Sequence, residues 1–365
     1  MPISHLDTRR FATAGALAAT LALAFGAGTT SAASSGPAQN VNLAPTKTYL
    51  LNHTSDLRGF TKQFRAQANR YFALAKASKF DHAAMWRSKR GDVTRVLARS
   101  KVLWIEGNPY YEQVEGVVAG TPSLSVYDVI LDAGASAAED LAGAVPFDLK
   151  LADGRVLRKP GNLFNLTEGM LWGTRRQYTA KGVRSDFNGN GRADFGEVLP
   201  DALVFKAAAD AFVLYAGKLD AASRAWKPTA SDAFTAVVVM VPTMSEYFGQ
   251  WKVSRFVLGN RAQGDAFNVV SRLSDIGDIL GGLRVIYAGI RPAIASVDPQ
   301  QAAQTRRELD SLWSFVAQLR KQEKAGRRFT REQADTLGRT AQERASAIAG
   351  QVTQAAARLK VKIAQ

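Results

Sequence analysis

TREQADTLGRTAQERASAIAGQVTQAAARL, Thr330 to Leu359, is the stretch that decides the fold. Thr330 is followed three residues later by Gln333, the spacing of a reciprocal helix-start box in which each side chain bonds the other's backbone N–H. Leu337, Ala341, Ala345, Ile348, Val352, Ala355 and Leu359 then recur every three or four residues, so one face of a long helix is apolar. Upstream, Gly326 suits the left-handed stop of an earlier helix carrying the stripe Leu309, Leu312, Trp313, Val316 and Leu319. Phe60, Phe64, Tyr71 and Leu74 repeat the pattern near the start, as do Val93, Val96, Leu97, Leu103 and Trp104. Such stripes are bundle core, and the fold class they predict is all-α. One departure is DLKLADGRVLRK, Asp148 to Lys159, where apolar residues alternate around an Asp153-Gly154 turn and predict a small β-hairpin.

The chain has 365 residues, 46% hydrophobic and 22% charged, enough for one or two ordinary cores. With no cysteine, thiol nucleophiles, thiolate zinc and iron–sulfur ligation are excluded. His5, His53 and His82 are the only histidines, which moves attention to carboxylates and amides, the ligands of hard cations. The formal charge is +15, unevenly spread. Residues 51–100 are net +8 and residues 301–365 net +7, whereas 101–150 hold Lys101 and Lys150 against eight acids, Glu106, Glu112, Glu115, Asp128, Asp132, Glu139, Asp140 and Asp148. Those acids are either solvated helix faces or carboxylates gathered around a cation.

Residues 1–33 pair Arg9 and Arg10 with an Ala/Leu-rich stretch and small residues at Ala32 and Ala33, the pattern of an export signal of the general secretory or twin-arginine kind. Residues 34–46 are polar and contain proline, as a flexible tether would, which puts the helical domain at 47–365. The most apolar later run, AVVVMV from Ala236, stops at Pro242, too short to span a membrane. The expected location is the periplasm.

DFNGNGRADFGE, Asp186 to Glu197, matches a twelve-residue EF-hand-like calcium loop. Asp186, Asn188, Asn190, Asp194 and Glu197 fall at the side-chain ligand positions, Gly191 at the bend, and Arg192 where a backbone carbonyl binds. Alternating oxygens can wrap a hard cation. Ala193 stands where such loops carry a branched apolar residue that pairs with a sister loop, and no sister loop is present. A structural calcium of modest affinity is expected.

GNLFNLTEGMLWG, Gly161 to Gly173, resembles the signature of the imelysin family. YDVILDAG from Tyr127, EYFGQWKVSRFV from Glu246, VSRLSDIGDILGGLRVIY from Val270 and the RFTREQADTLGRTAQERA helix extend the resemblance over most of residues 45–360. It implies a fold of helical bundles, and similarity to the EfeO-type periplasmic iron-uptake component in a short form without a cupredoxin domain. Glu168 matches the motif's glutamate, but Asn165 stands in place of its histidine and Leu163 in place of its first glycine. The resemblance also implies a zinc peptidase, a reading Asn165 disfavours because hydrolytic zinc needs three good protein ligands. Glu106, Glu112 and Glu115 flank an Asn108-Pro109-Tyr110-Tyr111 break, and one or more of them is a candidate to face Glu168 and Asn165 across the bundle. An all-oxygen site would suit iron, and the resemblance implies an inner-membrane iron permease and other uptake components as partners.

Other chemistry finds no sequence support. There is no nucleophile elbow and no phosphate-binding glycine loop; GDILGG, Gly277 to Gly282, sits in a helical pattern as a close-packing site. No basic run interleaved with aromatics marks a nucleic-acid surface. If the two basic segments share a face, an anionic polysaccharide becomes an alternative ligand.

Overall fold

The computed structural model describes residues 40–364; the expected export signal, residues 1–33, and the first part of the expected tether lie outside the described residues. Helix α1 (Ala44–Ala77) begins three residues before the boundary placed at 47, because Pro45 lies in its first turn, where a missing N–H costs nothing and the fixed φ is already helical. Asp81 accepts from the Ala84 N–H and caps α2 (His82–Val118). Helix α3 (Ser125–Asp128) runs into a π-helical turn, Val129–Ala133, followed by the hairpin β1 (Leu149–Lys150) and β2 (Val156–Leu157). Then come α4 (Leu163–Trp172), α5 (Ala202–Ala225), α6 (Ala230–Met240), α7 (Met244–Val253), α8 (Arg255–Leu258), α9 (Arg272–Val297), α10 (Pro299–Lys324) and α11 (Arg331–Arg358).

Helix α1 packs along α2 and α5, α9 along α10, and α11 along α7 and α6. The two groups join where α2 lies along α9, and their buried side chains form one continuous core. Gly282 sets that junction. A Cβ there would lie 2.4 Å from the Gln113 carbonyl oxygen of α2, so only glycine admits the close approach. That approach lies in the third turn of α9; toward the start of α9, Asn108 and Glu112 of α2 meet the side chains of Asp275 and Arg272. No helix among the described residues is long and apolar enough to cross a membrane.

The periodic stripes are the buried faces they predict. Phe60, Phe64, Tyr71, Val93, Leu97, Leu309, Leu312, Val316, Ala341, Ile348 and Val352 are all buried. The hairpin has the register Leu149↔Leu157, with Gly154 at φ 89° in its turn. Gly326 takes φ 92° after α10. Thr330 and Gln333 make both bonds of the capping box. Replacing the hydroxyl acceptor, Thr330→Ala, is expected to cost about 1 kcal/mol in urea unfolding, with an unchanged denaturant slope.

The expected break at Asn108–Tyr111 is corrected. Helix α2 continues through Pro109, and its irregular residue is Lys89 instead, at φ −135°. Proline removes one N–H from the ladder, and burial of Trp104, Asn108, Tyr111 and Glu112 on both sides of it keeps the helix together.

Candidate metal centre

Five carboxylates, Glu112, Glu115, Asp128, Asp132 and Asp275, are buried in one region with a single guanidinium, Arg272. Each element contributes a close pair. Glu112 and Glu115 lie one turn apart on α2. Asp128 ends α3 and Asp132 lies within the π turn that follows, whose closing Gly134 N–H bonds back to the Val129 carbonyl at 2.9 Å. Arg272 and Asp275 open α9, whose cap is Ser271.

The hydrogen bonds are unequally shared. The Tyr247 hydroxyl of α7 donates to Glu115 Oε1 at 2.8 Å, and the Tyr111 hydroxyl to Asp128 at 2.7 Å. Asn108 donates to Asp275 at 3.2 Å. Arg272 reaches Asp275 at 3.2 Å, Glu112 at 3.4 Å and Asp132 at 3.6 Å, and its Nε donates to Gln250 at 2.8 Å. Glu115 Oε2 is buried with no donor, and the neighbouring Glu112 carboxyl is close enough to share a proton with Glu115. Oxygens of Glu112, Glu115 and Asp132 lie within 4.8 Å of one another.

If all five acids ionised, one guanidinium would leave four negative charges uncompensated in a dry interior. Burial therefore pushes Glu115 up to about 8 and Asp128 and Asp275 up to about 7. Burial also raises Glu112 and Asp132, with neighbouring Asp275 adding to the shift at Glu112 and Arg272 opposing it at Asp132. At neutral pH the centre without a bound cation would keep protons that a cation could displace.

Of the sequence candidates, Glu112 and Glu115 lie together, but the group they form with Asp132 does not include Glu168 or Asn165, the residues they were expected to face. Glu106 does not join them: it is exposed and pairs with Arg99 at 3.5 Å. The helix period explains the correction, since six residues carry Glu106 about 120° around α2 from Glu112. Glu168 is buried on α4 but stands apart from the three-carboxylate group. Its oxygens accept the N–H groups of Asn268 at 2.7 Å and Phe267 at 3.3 Å, and burial pushes it up to about 8. It thereby holds the loop before α9, in which Phe267 takes φ 57° and lies 4.0 Å from the Arg272 guanidinium.

Asn165 is half-buried on the same helix and lines a cleft of about 310 Å³ with Asn162, Arg175, Gln250, Asp265 and Phe267. Gln250 and Phe267 are also contacts of Arg272, so this cleft borders the side chains that hold the guanidinium, although none of the five carboxylates lines it. His82 accepts the Ala202 N–H at the start of α5, and His53 packs on Tyr49. Neither belongs to the carboxylate group.

Sequence reasoning placed Asp128 and Asp132 only within the acidic segment and missed Arg272, Asp275 and Tyr247. Their signal was present in YDVILDAG and VSRLSDIGDILGG, where charged residues three or four apart interrupt otherwise apolar helical stretches.

The loop Asp186–Glu197 lies between α4 and α5, and its flanks are irregular rather than helical. Asp186 accepts from the N–H groups of Gly189, Asn190 and Gly191, and Asn188 from that of Asn190. Asn190 accepts from the Arg192 N–H and donates to Asp194. Glu197, the one buried side chain of the ligand set, accepts from Phe187, Asn188 and Asp194. Gly191 has φ 80°.

An all-α bundle with a buried, oxygen-only centre between α2, the π turn and α9 defines a helical protein built around carboxylates. Residues 72–355 match the sequence model of the imelysin family, peptidase family M75, and the chain belongs to that family. Comparison with curated proteins gives no match.

Proposed function

We propose that the protein is a metal-binding protein of imelysin type that takes one hard cation at Glu112, Glu115 and Asp132 and serves iron acquisition in the periplasm, as an EfeO-type component does. The observation that carries this reading is Glu115 Oε2, buried, unpartnered and within reach of two further carboxylates. A buried anionic oxygen without a donor is costly, and a proton or a cation relieves it. Oxygen-only donors favour Fe(III), Mn(II) or another hard ion over zinc. Hydrolytic zinc chemistry draws no support from the centre, which has no imidazole.

Protein purified without chelators, analysed for metal content and titrated with Fe(III), Mn(II) and Zn(II), is expected to hold one hard ion per chain. Glu106→Gln is expected to leave that binding unchanged. Failure to bind any of the three ions would overturn the reading.

A separate structural calcium at Asp186, Asn188, Asn190, Arg192, Asp194 and Glu197 is supported by the collapse of the loop around Asp186 and Glu197. With three carboxylates, affinity in the range of about 0.1–1 mM is expected. Asp186→Ala should abolish calcium binding in calorimetry and leave the Fe(III) site intact; unchanged calcium binding would exclude the loop.

A further inference from the structure

Arg272 is the feature of the centre that metal binding alone does not explain. Its guanidinium is 3% exposed and stacks between Phe267 at 4.0 Å and Tyr247 at 4.4 Å, while Gln250 fixes its Nε. Two of the carboxylates it contacts, Glu112 and Asp132, also belong to the group of three whose oxygens converge within 4.8 Å. Glu112 and Asp132 therefore border two cationic positions: one filled by the guanidinium, the other marked by the unpartnered Glu115 Oε2. Carboxylates shared between two positive centres are the arrangement of a two-metal site.

We infer that Arg272 is a resident counter-cation occupying the second cation position of a two-cation centre, which limits the protein to one exchangeable ion. The inference rests on the metal-binding reading of Glu112, Glu115 and Asp132. A guanidinium suits this role because it is permanently charged, weakly hydrated and held by aromatic faces, so it does not leave with the exchangeable ion. It binds the carboxylates together while the other position is empty. It also repels a second metal ion.

Removal of the charge tests this. Mn(II) titration followed by calorimetry and electron paramagnetic resonance is expected to give one isolated Mn(II) in the wild type. In Arg272→Gln two Mn(II) ions are expected, with the line broadening of a spin-coupled pair. Metal-free Arg272→Gln should melt well below the wild type and recover most of the difference on addition of Mn(II). Arg272→Lys, which keeps a charge, should fold without metal and hold one isolated ion.

One uncoupled Mn(II) of unchanged affinity in both wild type and Arg272→Gln would overturn the inference and leave the metal-binding reading standing. Absence of Mn(II) and Fe(III) from both would overturn the two together. If Arg272→Gln does not fold even in Mn(II), Arg272→Lys decides: folding with one ion supports a counter-cation, and equal failure to fold shows a role in shape alone.

Discussion

The metal-free protein is expected to lose stability steadily as pH rises from about 5 to about 8 and to level off above that, and a saturating hard cation is expected to flatten that decline. The sign follows from the direction of the shifts. Burial pushes Glu115 and Glu168 up to about 8 and Asp128 and Asp275 up to about 7, whereas the unfolded chain releases these protons near pH 4. A group whose native pKa is raised contributes stability that is complete below its unfolded value and disappears as pH rises through its native value. Each proton the native state retains and the unfolded chain has lost costs about 1.4 kcal/mol per pH unit. Several such groups share the centre, so the combined slope should exceed that of a single group. Urea midpoints measured at pH 5, 6, 7, 8 and 9, with and without Mn(II), read this out. A flat or rising profile in the absence of metal would show that the carboxylates are already ionised and compensated.

The acid side behaves in the opposite sense. Hydrogen bonds from Arg224, Arg58 and Thr54 hold Asp220 below its ordinary value despite partial burial, and Arg306 and Arg284 do the same for Asp310. Their contribution is present above about pH 4 and lost below it. Stability without metal should therefore peak in mildly acid solution, and the cation should move the optimum toward neutrality.

Much of the bundle was legible because helices announce themselves locally. Thr330 and Gln333 bracket a start, Gly326 marks a stop, and stripes at three-four spacing name the buried faces without knowledge of what covers them. The centre was legible only in part. Glu112 and Glu115 lie three apart on one helix, so their common face was readable, and the same periodicity, had it been applied to Glu106, would have placed that residue elsewhere. Arg272 and Asp275 meet Glu112 only because α9 approaches α2 at Gly282, a contact between residues more than 150 positions apart. No local pattern encodes that approach. Glu168 illustrates the same limit: its helix position was readable, and its partners, two N–H groups in an irregular loop a hundred residues away, were not. The acidic character of residues 101–150 gains its meaning from packing as well, since four of its acids turn inward together while Glu106 and Asp140 stay in solvent.

Glu115→Gln is expected to weaken binding of the hard cation by on the order of 100-fold and at the same time to stabilise the metal-free protein at high pH. The two effects have one cause. The Gln amide oxygen can still accept from the Tyr247 hydroxyl, which bonds Glu115 Oε1 at 2.8 Å. Its NH₂ takes the place of the unpartnered Oε2 and has Glu112 and Asp132 within reach as acceptors. A donor thus stands where two anions faced each other, and no proton has to be retained. At pH 5, where Glu115 is protonated, wild type and variant should unfold at nearly the same urea concentration. At pH 9 the variant should be the more stable by roughly 1–3 kcal/mol, the cost of an unsatisfied buried charge. The cation loses one of three anionic ligands and meets an NH₂ that repels it. Unfolding and Fe(III) titration on the same preparation separate the cases. Retained affinity would remove Glu115 from the ligand set, and lower stability at pH 9 would mean that its carboxylate is held by solvent or by Arg272 instead of by a proton. Gain in stability paired with loss of binding is the result expected of a centre whose strain is relieved by its ligand.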